Sequence, residues 1–327
     1  MASKYAYIVA TNKKYLPGVL GLLNSLERVG NKHEVVILEY GLPGNAKDAI
    51  ENAGYSYEIT LDSIEQKEVD WLGEAEVLMR KRYAVPKALN YDAVCILDAD
   101  MFFMHNPENF IAIAEKSGFV LVCGLEQKRY YADPNHQYPA KSGKYLIDPK
   151  LWNYKDLCCS PLFVGRPWYD ALKRSFDMVN DHAREEGRFL APDMDALNIC
   201  LLEAGSFDLT IPLSQRNWTG LHETFMKAHS RIVNQHDMAF TEDGEQIYCV
   251  HGQYWNKTWR GWQIDNQLAM IGREFNSSER YLNISQSSFD HILRLYYELA
   301  TKGKLNINDF LDVITSKTPV KDVMEIT

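Results

Sequence analysis

The chain has no apolar run long enough to cross a bilayer, no Cys-x-x-Cys pair, no internal repeat and no low-complexity segment. A membrane-spanning helix needs about 20 consecutive apolar residues, whereas the opening run, Tyr5 to Ala10, has six. That run is also too short for the apolar region of a secretory signal, so a cytoplasmic location is expected. Without Cys-x-x-Cys spacing, the six cysteines (Cys95, Cys123, Cys158, Cys159, Cys200 and Cys249) read as buried thiols in a reducing compartment. Positive charge is also scarce. With 35 Lys and Arg against 44 Asp and Glu, the net charge of −9 argues against a nucleic-acid-binding surface, which needs clustered cations to meet phosphates. A nucleotide ligand stays open, because one metal ion and one or two cations neutralise a diphosphate locally.

What is present is the balance of a globular protein with a real core. Apolar residues make up 46% of the 327 and charged residues 24%. The first third alternates between two periods. Tyr5–Ala10, Glu34–Leu38, Tyr55–Ile59 and Ala93–Leu97 read as strands. Between them, the leucine-rich stretch from Leu16 to Leu26, Ala46–Ala53 and Ala75–Tyr83 carry helical spacing. Strands joined by crossover helices predict a parallel, doubly wound sheet that binds its ligand at the strands' carboxyl ends.

Farther along, Glu126–Lys155 has no clear period and reads as an ordered loop or a linker. Leu162–Val164 is a short apolar run, and Trp168–Val179 and Asp193–Glu203 look helical. The tail from Ser287 to Ile314 predicts two amphipathic helices around a turn at Gly303–Asn306.

The segment Val94-Cys95-Ile96-Leu97-Asp98-Ala99-Asp100 carries the most chemistry. A wholly apolar strand delivers two carboxylates, one spacer apart, to its carboxyl end. In an extended chain, residues i and i+2 point to the same side, so Asp98 and Asp100 are expected to converge. Two converging carboxylates repel unless a cation lies between them. Hard oxygen donors suit Mg2+ or Mn2+, which bridge carboxylates to substrate phosphates. The plainer alternative is a strand end and a turn closed by Asn106-Pro107. A phosphatase whose first Asp is a nucleophile is a further alternative. Phe102 and the motif's distance from the N-terminus disfavour it.

Four ordered motifs resemble glycosyltransferase family 8, the glycogenin and lipopolysaccharide-galactosyltransferase group, from Tyr5 to about Trp259. The first is Ala10-Thr11-Asn12 with Tyr15-Leu16-Pro17-Gly18. By resemblance, Ala10, Thr11 and Asn12 hold the uracil and ribose, and Tyr15 stacks on the base. The second is Tyr91 to Asp100 with Asn106-Pro107 after it. It implies that Asp98, Ala99 and Asp100 form a DxD motif, and that Arg82, in preference to Arg80, faces the sugar nucleotide. Arg82 as a solvated helix position is the alternative.

The third motif, Asp193-Met194-Asp195-Ala196-Leu197-Asn198, is similar to the family's DQDxLN. It implies that Asp193 binds donor-sugar hydroxyls and that position 194 lies near the anomeric carbon. Met194 stands where the family commonly has Gln; Asp195 is the other acid there. The fourth, His251-Gly252-Gln253-Tyr254-Trp255-Asn256-Lys257-Thr258-Trp259, is similar to HxxGxxKPW. It implies that His251 completes a metal site with Asp98 and Asp100, and that Lys257 and Gly252 contact the diphosphate.

The resemblance implies a GT-A-type α/β fold, a Rossmann-like, mainly parallel sheet flanked by helices. A catalytic domain over 1–265 with a C-terminal helical extension over 266–327 is expected. The implied reaction is metal-dependent (Mn2+ or Mg2+) hexosyl transfer from a UDP-sugar to the hydroxyl of a glycan, glycoconjugate or protein, with retention. A sugar-nucleotide-binding protein that has lost turnover is the rival reading, motivated by Met194. Oligomeric state, a homodimer included, is left open.

Overall fold

Strands buried on both faces read as unbroken apolar runs, and the centre of this fold is built from two of them. In the computed structural model, every residue of Ala93–Leu97 is buried, as are Ala6 to Ala10. Because side chains alternate across a strand, each strand feeds two cores. Tyr7, Val9, Cys95 and Leu97 join one cluster, and Ala6, Ile8, Val94 and Ile96 join the other. The structure describes residues 4–12, 15–40, 42, 44–60, 82–99, 101–128, 155–186, 197, 200, 203–205, 210–214, 232–235, 238–241, 244–251, 304, 305 and 310.

The strands are β1 (Tyr5–Asn12), β2 (Glu34–Tyr40), β3 (Ser56–Thr60), β4 (Ala93–Leu97), β5 (Met101–Phe103), β6 (Phe119–Lys128) and β7 (Lys155–Gly165). They are followed by β8 (Thr210–Ser214), β9 (Ile232–Gln235), β10 (Met238–Thr241) and β11 (Cys249–His251). Four helices are described: α1 (Leu16–Arg28), α2 (Gly44–Asn52), α3 (Glu108–Ser117) and α4 (Tyr169–Glu186). Seven strands form one sheet in the order β3-β2-β1-β4-β7-β6-β8. β3, β2, β1 and β4 are mutually parallel, and β8 is parallel to β6. β7 alone runs against its neighbours β4 and β6. Residues of α1, α2 and α3 fill one core, and residues of α4 fill the other. The expected α/β architecture, a mainly parallel sheet flanked by helices, is therefore what the chain adopts.

Several elements differ from expectation. β6 carries an apolar start, Phe119-Val120-Leu121-Val122-Cys123, that belonged to no expected strand. β7 begins at Lys155, well before the apolar run at Leu162, because pairing with β6 extends it. Asn106-Pro107 opens α3 instead of closing the acidic turn, with Asn106 Oδ1 accepting from Glu108 N–H at 2.8 Å. Gly118 ends α3 at φ 102°, and a Cβ there would meet the Trp168 indole at 1.9 Å, so only glycine joins α3 to β6.

The expected helix over Ala75–Tyr83 is described only from Arg82 onward, and the loop between β6 and β7 lies outside the described residues. So does the C-terminal extension, except Lys304, Leu305 and Phe310. Leu305 and Phe310 are buried in the core against α1. Asn24 of α1 clasps the main chain of Leu305, donating to its carbonyl at 2.6 Å and accepting from its N–H at 3.0 Å. Among the described residues no helix is long and apolar enough to cross a membrane. Cys95, Cys200 and Cys249 are buried and form no disulfide.

Candidate functional site

In an open α/β sheet, ligands settle outside the carboxyl ends of the strands, where the strand order reverses. Here the chain goes from β1 outward to β2 and β3, then returns to β4 on the other side of β1. The reversal lies between β1 and β4, whose parallel register runs to Val9 opposite Leu97. The next residues at this edge are Ala10, Thr11 and Asn12 on one strand and Asp98 on the other. Two motifs far apart in sequence thus meet at the switch point.

Ala10 and Thr11 are buried, while Asn12 and Tyr15 are half-buried. The Asn12 side chain accepts from Tyr15 N–H at 3.2 Å and shapes the entry to α1. Tyr15 is the N-cap residue of α1 and packs against the core.

Asp98 follows directly on the extended strand β4. β4 stops at Leu97, and Met101 N–H bonds back to Asp98 O at 3.3 Å. A hydrogen-bonded turn therefore links Asp98 to Met101. The turn has a cause: Leu97 belongs to the large sheet and Met101 to a second sheet, so the chain must bend between them. Ala99 is buried inside the bend, and Asp100 lies outside the described residues.

Three side chains hold this bend. Arg82 is 1% exposed, so it is not a solvated helix position. Its Nη1 donates to Leu97 O at 3.0 Å and ion-pairs with the Asp98 carboxylate, while Nη2 donates to Tyr83 Oη at 3.2 Å. Ser160 of β7, also buried, accepts from Asp98 N–H at 2.8 Å and donates to Met101 Sδ at 3.0 Å. Ser25 of α1 accepts from Phe103 N–H at 2.9 Å and donates to Leu22 O at 2.7 Å.

The second sheet brings in the distant fourth motif. β5 pairs with β11 in antiparallel register, Phe103 opposite Cys249, Phe102 opposite Val250 and Met101 opposite His251. The pairing continues outward through Met104 N–H to Tyr248 O at 2.9 Å. The His251 backbone therefore stands across from the residue that follows Asp100. Cys95 and Cys249 are neighbours in this core, and burial pushes the Cys95 thiol well up.

Leu197 and Cys200 are helical and buried. Asp193, Met194 and Asp195 lie outside the described residues, as do Gly252 and Lys257. Sequence reasoning missed Ser160, and Ser25 with it. A serine within an apolar strand, Cys159-Ser160-Pro161-Leu162, was the available signal. Among the described residues no three His, Cys, Asp or Glu side chains gather as a metal site.

The chain shares this architecture with solved glycosyltransferases. WbbM, a bifunctional glycosyltransferase, is similar over 86% of this chain and 52% of its own, at 13% identity and a TM-score of 0.52. This chain thus spans about half of WbbM. The galactosyltransferase LgtC, solved with donor and acceptor sugar analogs, is similar over 84% of this chain and 96% of its own, at 13% identity and a TM-score of 0.52. The chain has a GT-A fold. At such identity the likeness is one of fold. No protein-family model matches the sequence, and no curated protein does.

Of Asp98, Asp100 and His251, the metal donors that the resemblance implies, only Asp98 has a described side chain. Two carboxylates and an imidazole suit Mn2+, and the Asp98 side chain is 18% exposed at the rim of the turn. A carboxylate accepts several partners at once, so the Arg82 contact leaves Asp98 capacity for a further cation. A cleft of about 600 Å3, lined by Lys4, Tyr5, Lys32, His33, Asn90 and Tyr91 among others, opens at the opposite edge of the sheet. It carries no acidic turn and lies away from the switch point.

Proposed function

We propose that the chain is a metal-dependent glycosyltransferase of family 8 type, moving a hexosyl group from a UDP-sugar to an acceptor hydroxyl with retention. The observation that carries this reading is the β5–β11 register, which sets the His251 backbone across from Met101 beside the acidic turn. Packing alone gives no reason for two of the four motifs to meet at a switch point. Asp98, Asp100 and His251 hold Mn2+ or Mg2+, and Lys257 and Gly252 contact the diphosphate. When bound, the ion withdraws charge from the departing diphosphate. Ala10, Thr11 and Asn12 line the nucleoside end, and Tyr15 stacks on the base. Asp193 holds donor-sugar hydroxyls, with Asp195 beside it. Met194, an apolar group near the anomeric carbon, offers no nucleophile, which favours attack by the acceptor on the face the diphosphate leaves.

The test is a panel of nucleotide sugars scored for hydrolysis and transfer with Mn2+, with Mg2+ and with chelator. Metal-dependent release of UDP is expected, and Asp100→Asn removes it while UDP binding in Mn2+ weakens. Equal UDP affinity with and without metal would sink the metal site. A β-linked product from an α-linked donor would sink retention alone. Met194 also motivates a second reading, a sugar-nucleotide-binding protein without turnover. It predicts metal-dependent UDP affinity with no hydrolysis of any donor.

A further inference from the structure

We propose that Ser160 is a positioning residue for the metal-binding turn, holding from β7 the main chain of Asp98 and the side chain of Met101 at the two ends of the bend. The proposal rests on the metal-dependent reading above. Continuing the β4–β7 register one step past Ile96 and Leu162 sets Leu97 across from Pro161, which has no N–H to give. The next step sets Asp98 across from Ser160. At this point the ladder passes from main chain to side chains: Leu97 O takes its hydrogen bond from Arg82, and Asp98 N–H gives its own to Ser160 Oγ.

The Ser160 hydroxyl is used in both directions. It accepts from Asp98 N–H at the start of the turn and donates to Met101 Sδ at its end. Accepting from one and donating to the other fixes its rotor. Ser160 is 3% exposed and Met101 is fully buried, so water cannot readily replace either bond. The sulfur contact ties the first residue of β5, hence the β5–β11 pair, to the same hydroxyl that holds Asp98. One side chain on the antiparallel strand therefore links the main chain at Asp98 to the strand that pairs with His251.

Groups behind metal ligands, when removed, cost roughly 10–100-fold in metal affinity or activity. The experiment compares wild type, Ser160→Ala and Ser160→Thr in two measurements. The first is hydrogen exchange of the metal-free protein across Ile96–Phe103. The second is a Mn2+ titration of UDP binding, with melting temperatures alongside. Ser160→Ala is expected to speed exchange at the Asp98 amide by about tenfold. It should also raise the Mn2+ concentration needed for UDP binding by about tenfold, the lower end of that range, with metal-free UDP binding unchanged. Ser160→Thr, which keeps the hydroxyl, restores most of both. If the alanine variant does not fold, Ser160→Cys gives the same comparison with a weak acceptor of similar size. Should wild type show a Mn2+ effect that Ser160→Ala leaves untouched, the positioning role fails alone. Should wild type show no Mn2+ effect, the metal reading fails and takes this proposal with it.

Discussion

Replacing Arg82 by methionine tests how the acidic turn is held. The guanidinium is 1% exposed and reaches Leu97 O, the Asp98 carboxylate and Tyr83 Oη. Methionine keeps most of the apolar stem and its packing against the second core, so the loss isolates the polar contacts. Removing one partner of a buried ion pair costs about 3–5 kcal/mol, because the other charge is stranded. Asp98 keeps 18% of its side chain in contact with solvent and recovers some hydration, which places the expected loss near the lower end, about 3 kcal/mol. For a chain of 327 residues that corresponds to a fall in Tm of about 4 °C. Asp98→Asn strands the arginine in turn, so the double variant should be less damaged than the sum of the two. A coupling on the order of 1–3 kcal/mol is expected from residues in direct contact. Urea unfolding of wild type, both single variants and the double variant measures all of this. A loss below about 1 kcal/mol in Arg82→Met, or strict additivity, would mean that the guanidinium does not hold Asp98 in solution.

Three further outcomes are expected. Lys257→Ala should lower UDP-sugar turnover by about a hundredfold with little change in Tm, as for losing one charge-stabilising donor; near-normal rates would detach the fourth motif from catalysis. Burial lowers the His33 pKa despite the Glu108 carboxylate 3.3 Å away. The unfolded chain then binds its proton first as pH falls, and stability is lost below about pH 6.5, the unperturbed histidine value. His33→Gln should flatten that part of the urea midpoint profile between pH 7.5 and 5.5, and an unchanged profile would remove His33 as its source. Asn24→Ala should cost roughly 2 kcal/mol, since both bonds to Leu305 are buried. It should also speed protease cleavage of the C-terminal segment, and unchanged cleavage would mean that the clasp does not anchor the tail.

The sheet's parallel half was legible because β1, β2 and β4 are buried on both faces and therefore spell continuous apolar runs. β7 was half legible: Leu162–Val164 is apolar, but its first residues owe their extended form to pairing with β6, a contact no local pattern reports. The acidic pair is legible from its place after an apolar strand, and of the two only Asp98 is among the described residues. The transfer from one sheet to the other at this point leaves no local pattern, because it is set by pairing with the distant β11. Arg82 was picked out as a base near the ligand, but its burial was invisible, since a single arginine on a helix reads the same wherever it faces. Ser160 and Ser25 were overlooked for a related reason. Buried serines are named by the main-chain groups they meet, and those lie 62 and 78 positions away along the chain.

The small β5–β11 sheet has a consequence for how the protein is made. A ribosome releases the acidic turn when residue 101 emerges, but its partner strand arrives only with residue 251. Through that whole interval α3, β6 and β7 are added while β5 lacks its mate. Bringing such distant segments together carries a loop-closure cost that grows only slowly with length. Ser25 and Arg28 on α1, which bond the main chain of Phe103, come from the first helix and are ready early. The nascent chain thus holds half of its candidate site on a finished scaffold and acquires the other half near the end of synthesis. A fragment that stops before Cys249 would keep the seven sheet strands and lack the pairing that completes the site.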